Sequence, residues 1–121
     1  MIALWVALAG SLGAVARFVV DGVVRSRWAG AFPWGTVVVN VSGSLLLGIA
    51  TGLVLFHGAP SEVTLVVGVG FCGGYTTFST ASLESVRLIA NRQFTVALAA
   101  TLGTMLVTTA AAALGLAVTA L

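Results

Sequence analysis

Residues 68–80 read Gly-Val-Gly-Phe-Cys-Gly-Gly-Tyr-Thr-Thr-Phe-Ser-Thr, and the fold turns on this stretch. Gly68, Gly70, Gly73 and Gly74 run into Thr76 and Thr77 without a single charge. A continuous lipid-facing helix has no use for so many small and hydroxyl-bearing residues, because each glycine weakens a helix by roughly 1 kcal/mol relative to alanine. The spacing therefore predicts a break near residues 73–77 inside an apolar crossing. At membrane depth, freed backbone groups are tolerated only where they are buried in protein, line a wet cavity or hold an ion.

Outward from this stretch, charges and turn formers divide the chain into four apolar spans. Residues 2–20 form the first, with Arg17 near its far end. A polar connection through Asp21, Arg25, Arg27 and Trp28 leads to Pro33, whose fixed φ and missing N–H suit the start of a new helix over 34–56. His57-Gly58-Ala59-Pro60-Ser61 interrupts the pattern, and Ser61 with Glu62 makes a cap and acidic first turn for the third span, 62–90. After Asn91 and Arg92 an uncharged run gives the fourth span, 93–120, whose Thr101, Thr104 and Thr108 share one helical face.

The composition leaves no alternative to lipid as solvent. Of 121 residues, 60% are hydrophobic and 7% are charged, with a mean hydropathy of +1.18; a soluble domain carries roughly 25% charged residues. Four crossings of about 20 residues each consume about 80 residues, which leaves no room for a separate extramembrane domain. The expected fold is an all-α integral membrane unit of one four-helix domain over 1–121. Five Arg and three acids, net +2, are too few and too scattered for a nucleic-acid footprint. The single cysteine, Cys72, has no partner for an intrachain disulfide or a thiolate metal site. Ala14-Val15-Ala16 has the form of a signal-peptidase site, but the run before it lacks a basic start, so no cleavage is expected.

Catalysis is excluded by inventory. Asp21, Glu62, Glu84 and the lone His57 all fall near expected helix ends, with no Ser/His/Asp or metal-ligand spacing. What remains at membrane depth is hydroxyls, the Asn40 amide, aromatic rings and backbone, which suits a passive pathway or a binding site. Gly48 with Gly52, and Gly70 with Gly74, stand four apart, a spacing that lets helices approach closely in lipid. That serves dimerisation or packing within one subunit equally well. No 20-to-50-residue repeat is visible, so any symmetry comes from a second subunit.

Three motifs, Gly10-x-x-Gly13-Ala14-x-x-Arg17-Phe18, Gly35-Thr36-x-x-Val39-Asn40-x-x-Gly43 and Gly70-Phe71-x-Gly73-Gly74-x-Thr76-Thr77-Phe78-Ser79-Thr80-x-Ser82-x-Glu84, together resemble the Fluc/CrcB fluoride channels, in that family's order and spacing. The resemblance implies an antiparallel, dual-topology dimer of four-helix subunits in the inner membrane, with two narrow pores for passive fluoride efflux and a structural sodium ion at the dimer centre. It implies a fluoride-pore role for Asn40, Phe78, Ser79 and Thr80, with Thr104 and Thr108 as further candidates on the fourth helix. Arg17 would stand at the vestibule, and the backbone carbonyls of Gly73 and Gly74 from both subunits would hold the sodium, a hard cation that prefers oxygen. Glu84 takes a structural role, paired with Arg87 or Arg17 or accepting hydrogen bonds from a neighbouring helix. The family's second box phenylalanine falls three residues after Phe78, where this chain has Ala81. Another residue fills that role, the pore using the position conducts poorly, or a non-identical partner brings the ring; the sequence leaves these open.

Two other function classes compete. A small four-helix proton-coupled multidrug transporter needs a titratable carboxylate buried mid-membrane, and the first span has none before Asp21. A non-conducting assembly subunit leaves Asn40 and residues 73–80 without a purpose. Orientation carries a conflict of its own: Arg25, Arg27, Arg87 and Arg92 fall on one side of the membrane, and Glu62 on the other. The positive-inside rule then puts both termini outside, whereas dual insertion calls for a balanced count. A homodimer is the favoured reading, with a paired, oppositely inserted paralogue as the alternative.

Overall fold

The computed structural model describes all 121 residues and is entirely helical. Helix α1 is Ile2–Arg27 and α2 is Trp34–His57. A π-helical segment, Thr64–Cys72, runs directly into the α-turn Gly73–Tyr75, and the two together are α3 (residues 64–75). Helix α4 is Phe78–Ala90 and α5 is Phe94–Ala120. Three of these, α1, α2 and α5, are long and apolar enough to cross a membrane.

Helix α1 does not end near residue 20. It continues through Asp21 because Arg25 Nε closes an i,i+4 ion pair on the Asp21 carboxylate at 2.9 Å. Arg25 and Arg27 in the last turn also complement the helix dipole. The chain then turns through Trp28, Phe32 and Trp34, whose rings pack at 6.1 Å (Trp28–Trp34) and 4.5 Å (Phe32–Trp34). Pro33 is the N-cap of α2, and Gly58, at φ 67°, ends that helix in the left-handed conformation that glycine adopts freely. Ser61 opens the third span through its carbonyl, which accepts from the Thr64 and Leu65 N–H groups.

Within the expected stretch 73–77, Gly73, Gly74 and Tyr75 are helical. The residues that leave helical backbone are Thr76 (φ −80°, ψ 158°) and Thr77 (φ −146°, ψ 115°). Glycine's looseness is spent instead in the π-helical turns that precede them, which hold Gly68 and Gly70. Helix α3 lies parallel to α1, with Gly70 against Val6 and Gly74 against the Gly10 backbone. Helix α4 continues in the same direction, since Glu84 reaches Arg25 further along α1.

The glycine pairs work within the chain. Gly48 faces the Ala112 backbone and Gly52 faces Thr119, while Gly115 of α5 sits against Leu45, Gly48 and Ile49 of α2. In lipid, where apolar side chains gain nothing by avoiding the solvent, this close backbone approach supplies the van der Waals contact that holds helices together. A Cβ on Gly48, Gly52 or Gly115 would collide with backbone or with Thr119. Helices α2 and α5 are thus the tightest pair, α1 and α3 the second, and α4 leans on α5.

Candidate functional site

Two cavities flank the interruption between α3 and α4. The larger, about 530 Å³, lies among α2, α3, α4 and α5. Asn40, Phe78, Thr104 and Thr108 line it together with Gly73, Ala81, Ser44, Ser82, Ser85 and Thr101. No charged side chain lines it. The smaller, about 200 Å³, is lined by Arg17, Phe18, Asp21, Thr36, Val39, Thr77 and Thr80. Thr36 and Thr77 line both, so these two residues form the partition between them.

The sequence candidates are therefore divided. Asn40, Phe78, Thr104 and Thr108 share the large cavity; Arg17 and Thr80 share the small one. Ser79 lies outside both, on the exposed side of α4. Phe78 is 87% exposed, so most of its ring faces away from the rest of this chain.

Asn40 is held by the backbone of Thr77. Its Nδ2 donates to the Thr77 carbonyl at 3.3 Å and its Oδ1 accepts from the Thr77 N–H at 3.0 Å. In an unbroken α-helix that N–H would have gone to the carbonyl of Gly73, four residues earlier. The Thr77 hydroxyl accepts from the Thr80 N–H at 3.1 Å and caps α4. Thr76 closes the other side, its N–H and hydroxyl both donating to the Cys72 carbonyl at 2.8 and 2.7 Å.

Hydroxyls around the large cavity differ in what they can still offer. Thr108 spends its proton on the Thr104 carbonyl at 2.7 Å, so it faces the cavity as an acceptor. Ser85 and Thr101 are joined at 3.2 Å. Ser44, Ser82 and Thr104 hold no side-chain hydrogen bond within the chain and keep free donors. One of the two Nδ2 protons of Asn40 is likewise free, since the amide nitrogen carries two donors and makes one bond.

Glu84 lies in the middle of α4, not near a helix end, and its partners come from neighbouring helices, as one expectation had it, and not from Arg87 or Arg17. Its carboxylate takes the Thr36 hydroxyl proton and reaches Arg25 Nη2 at 3.4 Å. The side chain is 15% exposed. Sequence separation hides this cluster, because Arg25 and Glu84 are 59 residues apart. Arg17 makes no ion pair and leaves its charge to the small cavity. There is no group of three or more His, Cys, Asp or Glu side chains able to hold a metal.

The comparisons with known proteins agree with one another. Residues 4–116 match the family described as CrcB-like protein, Camphor Resistance (CrcB). "Fluoride-specific ion channel FluC 1" of Leifsonia xyli subsp. xyli is 54% identical over 116 residues, which is 96% of this chain and 85% of that protein. "Fluoride-specific ion channel FluC 2" of Cutibacterium acnes is 54% identical over 88 residues, 72% of each chain. A protein of the same name from Mycobacterium bovis is 45% identical over 116 residues, covering 94% of this chain and 89% of its own. With nearly the whole length matched and the motifs around Asn40 and Phe78 placed about one uncharged cavity, the chain belongs to the CrcB family.

Proposed function

We propose that this chain forms a fluoride-selective channel of the inner membrane that lets fluoride leave the cytoplasm passively. The observation that carries the reading is the large cavity: it offers the free donors of Asn40, Ser44, Ser82 and Thr104 beside the Phe78 ring, with no fixed charge. Neutral donors can replace part of an anion's water shell without trapping it, and the positive edge of an aromatic ring adds a weak attraction. Relatives at 45–54% identity carry the name of fluoride-specific channels. A negative-inside potential supplies about 2.3 kcal/mol per charge per 100 mV, so the anion needs no other energy source to leave.

Arg17, unpaired in the small cavity, concentrates anions at the entrance. The Thr36–Thr77 partition then separates this vestibule from the larger cavity. The carboxylate exchanger has no support here, because Glu84, in the middle of α4, is already held by Arg25 and Thr36, and Asp21 of α1 is paired with Arg25.

The functional unit in this reading is an antiparallel homodimer, with a paired paralogue as the alternative. Phe78, largely unburied by its own chain, and Gly73, against which nothing packs, suit a face that a second subunit covers. The residues also fit a structural sodium ion. Gly73 is exposed, and its carbonyl is released from its usual helical donor because the Thr77 N–H is taken by Asn40. Carbonyls of Gly73 and Gly74 from two subunits would give a hard cation the oxygen ligands it prefers. Sodium there would fix the two interruptions against each other.

Fluoride efflux from liposomes holding the purified protein tests the reading. Fluoride should leave rapidly and chloride hardly at all. Equal permeability, or no flux from a folded dimer, would overturn it. Asn40→Asp should abolish the flux while preserving the dimer, because a fixed negative charge repels the ion.

A further inference from the structure

We infer that the backbone of Thr77 sets anion selectivity by locking the Asn40 amide in one of its two flip states. The inference rests on the channel reading above and adds to it a positioning residue, Thr77, that acts through Asn40. A carboxamide has two faces of opposite polarity, and a freely rotating one would present oxygen to the cavity as readily as nitrogen. Here both partners have fixed polarity. The Thr77 N–H can only donate and the Thr77 carbonyl can only accept, so Oδ1 must face the former, at 3.0 Å, and Nδ2 the latter, at 3.3 Å. The flipped amide would set oxygen against oxygen and N–H against N–H.

The consequence is chemical. With Oδ1 engaged by the Thr77 N–H, the remaining Nδ2 proton is left free at the cavity that Phe78 and Thr104 also line. An amide that turns its N–H to the cavity favours a small, strongly hydrogen-bonding anion over a cation. The lock exists only because Thr76 and Thr77 leave the helix: a helical Thr77 would give its N–H to Gly73. The interruption of the crossing and the selectivity of the amide are thus one device.

Replacing Thr77 by its α-hydroxy acid exchanges the backbone N–H for an ester oxygen and leaves every side chain in place. In liposomes the ester variant should lose fluoride-over-chloride selectivity by about tenfold, the equivalent of roughly 1.4 kcal/mol for one hydrogen bond. An unchanged selectivity ratio in a folded ester variant would overturn the inference. A second measurement needs no variant: in the wild-type protein, amide-resolved NMR should show one Asn40 Nδ2 proton protected from exchange and the other open to solvent, with fluoride shifting the open one. Two equally fast protons would overturn the lock. If the wild type conducts no fluoride, the channel reading fails by itself, and the exchange measurement still decides the lock.

Discussion

Glu84 accepts the hydroxyl proton of Thr36, which joins the middle of α4 to the first turn of α2 across 48 residues of sequence. The same carboxylate reaches Arg25 at 3.4 Å, so one side chain ties α4 to both α1 and α2. It does so beside the partition between the two cavities, which Thr36 helps to form.

Glu84→Ala should therefore lower stability by about 1–2 kcal/mol, since it strips partners from Thr36 and Arg25. Glu84→Gln keeps an acceptor for Thr36 and should lose less. Thermal unfolding in detergent reads the difference; equal midpoints for the two variants would mean that the acceptor kept by glutamine contributes nothing.

Gly74→Ala and Gly103→Ala make a matched pair. A Cβ on Gly74 would run into the Gly10 backbone, whereas one on Gly103 meets nothing within 4 Å. The first should destabilise by about 1–3 kcal/mol through overpacking. The second should be neutral or stabilise by up to roughly 1 kcal/mol through helix propensity. Unfolding curves of both variants check the sign.

Arg17→Gln should slow fluoride efflux, by roughly tenfold at low salt, because it removes the unpaired charge that concentrates anions. The defect should fade as inert salt is added and vanish near 1 M, where the Debye length is about 3 Å. A defect that ignores ionic strength would assign Arg17 to packing.

Ala81→Phe places a second ring one turn from Phe78, in a cavity of about 530 Å³ that has room for it. The variant should fold as stably as the wild type and release fluoride faster. Unchanged efflux from a folded variant would show that the small residue at this position does not limit conduction.

Much of this was readable before any coordinates. Composition and turn formers placed the helices, and the spacing of Thr101, Thr104 and Thr108 on one face matched the wall that all three now line. Local pattern carried no information about pairings distant in sequence, such as Asn40 with Thr77, 37 residues apart, or Arg25 with Glu84. The glycine-rich stretch signalled irregular backbone, and its form only the structure gives: π-helical at Gly68 and Gly70, with the extended residues the threonines that follow. The resemblance grouped Ser79 with Thr80; neighbouring residues of a helix point about 100° apart, and of the two only Thr80 lines a cavity.

The glycine contacts between α2 and α5 divide the molecule mechanically. At Gly48 and Gly115 backbone faces backbone and at Gly52 the short Thr119 side chain fills the gap, so neither helix can slide or roll against the other without a collision. The pair is a rigid rail. Asn40 stands on one member of that rail and Thr104 on the other, so their separation is held constant while α3 and α4, joined through two extended residues, remain the jointed limb. Any gating movement has to travel along that limb, and amide exchange should be slower along α2 and α5 than along α3 and α4.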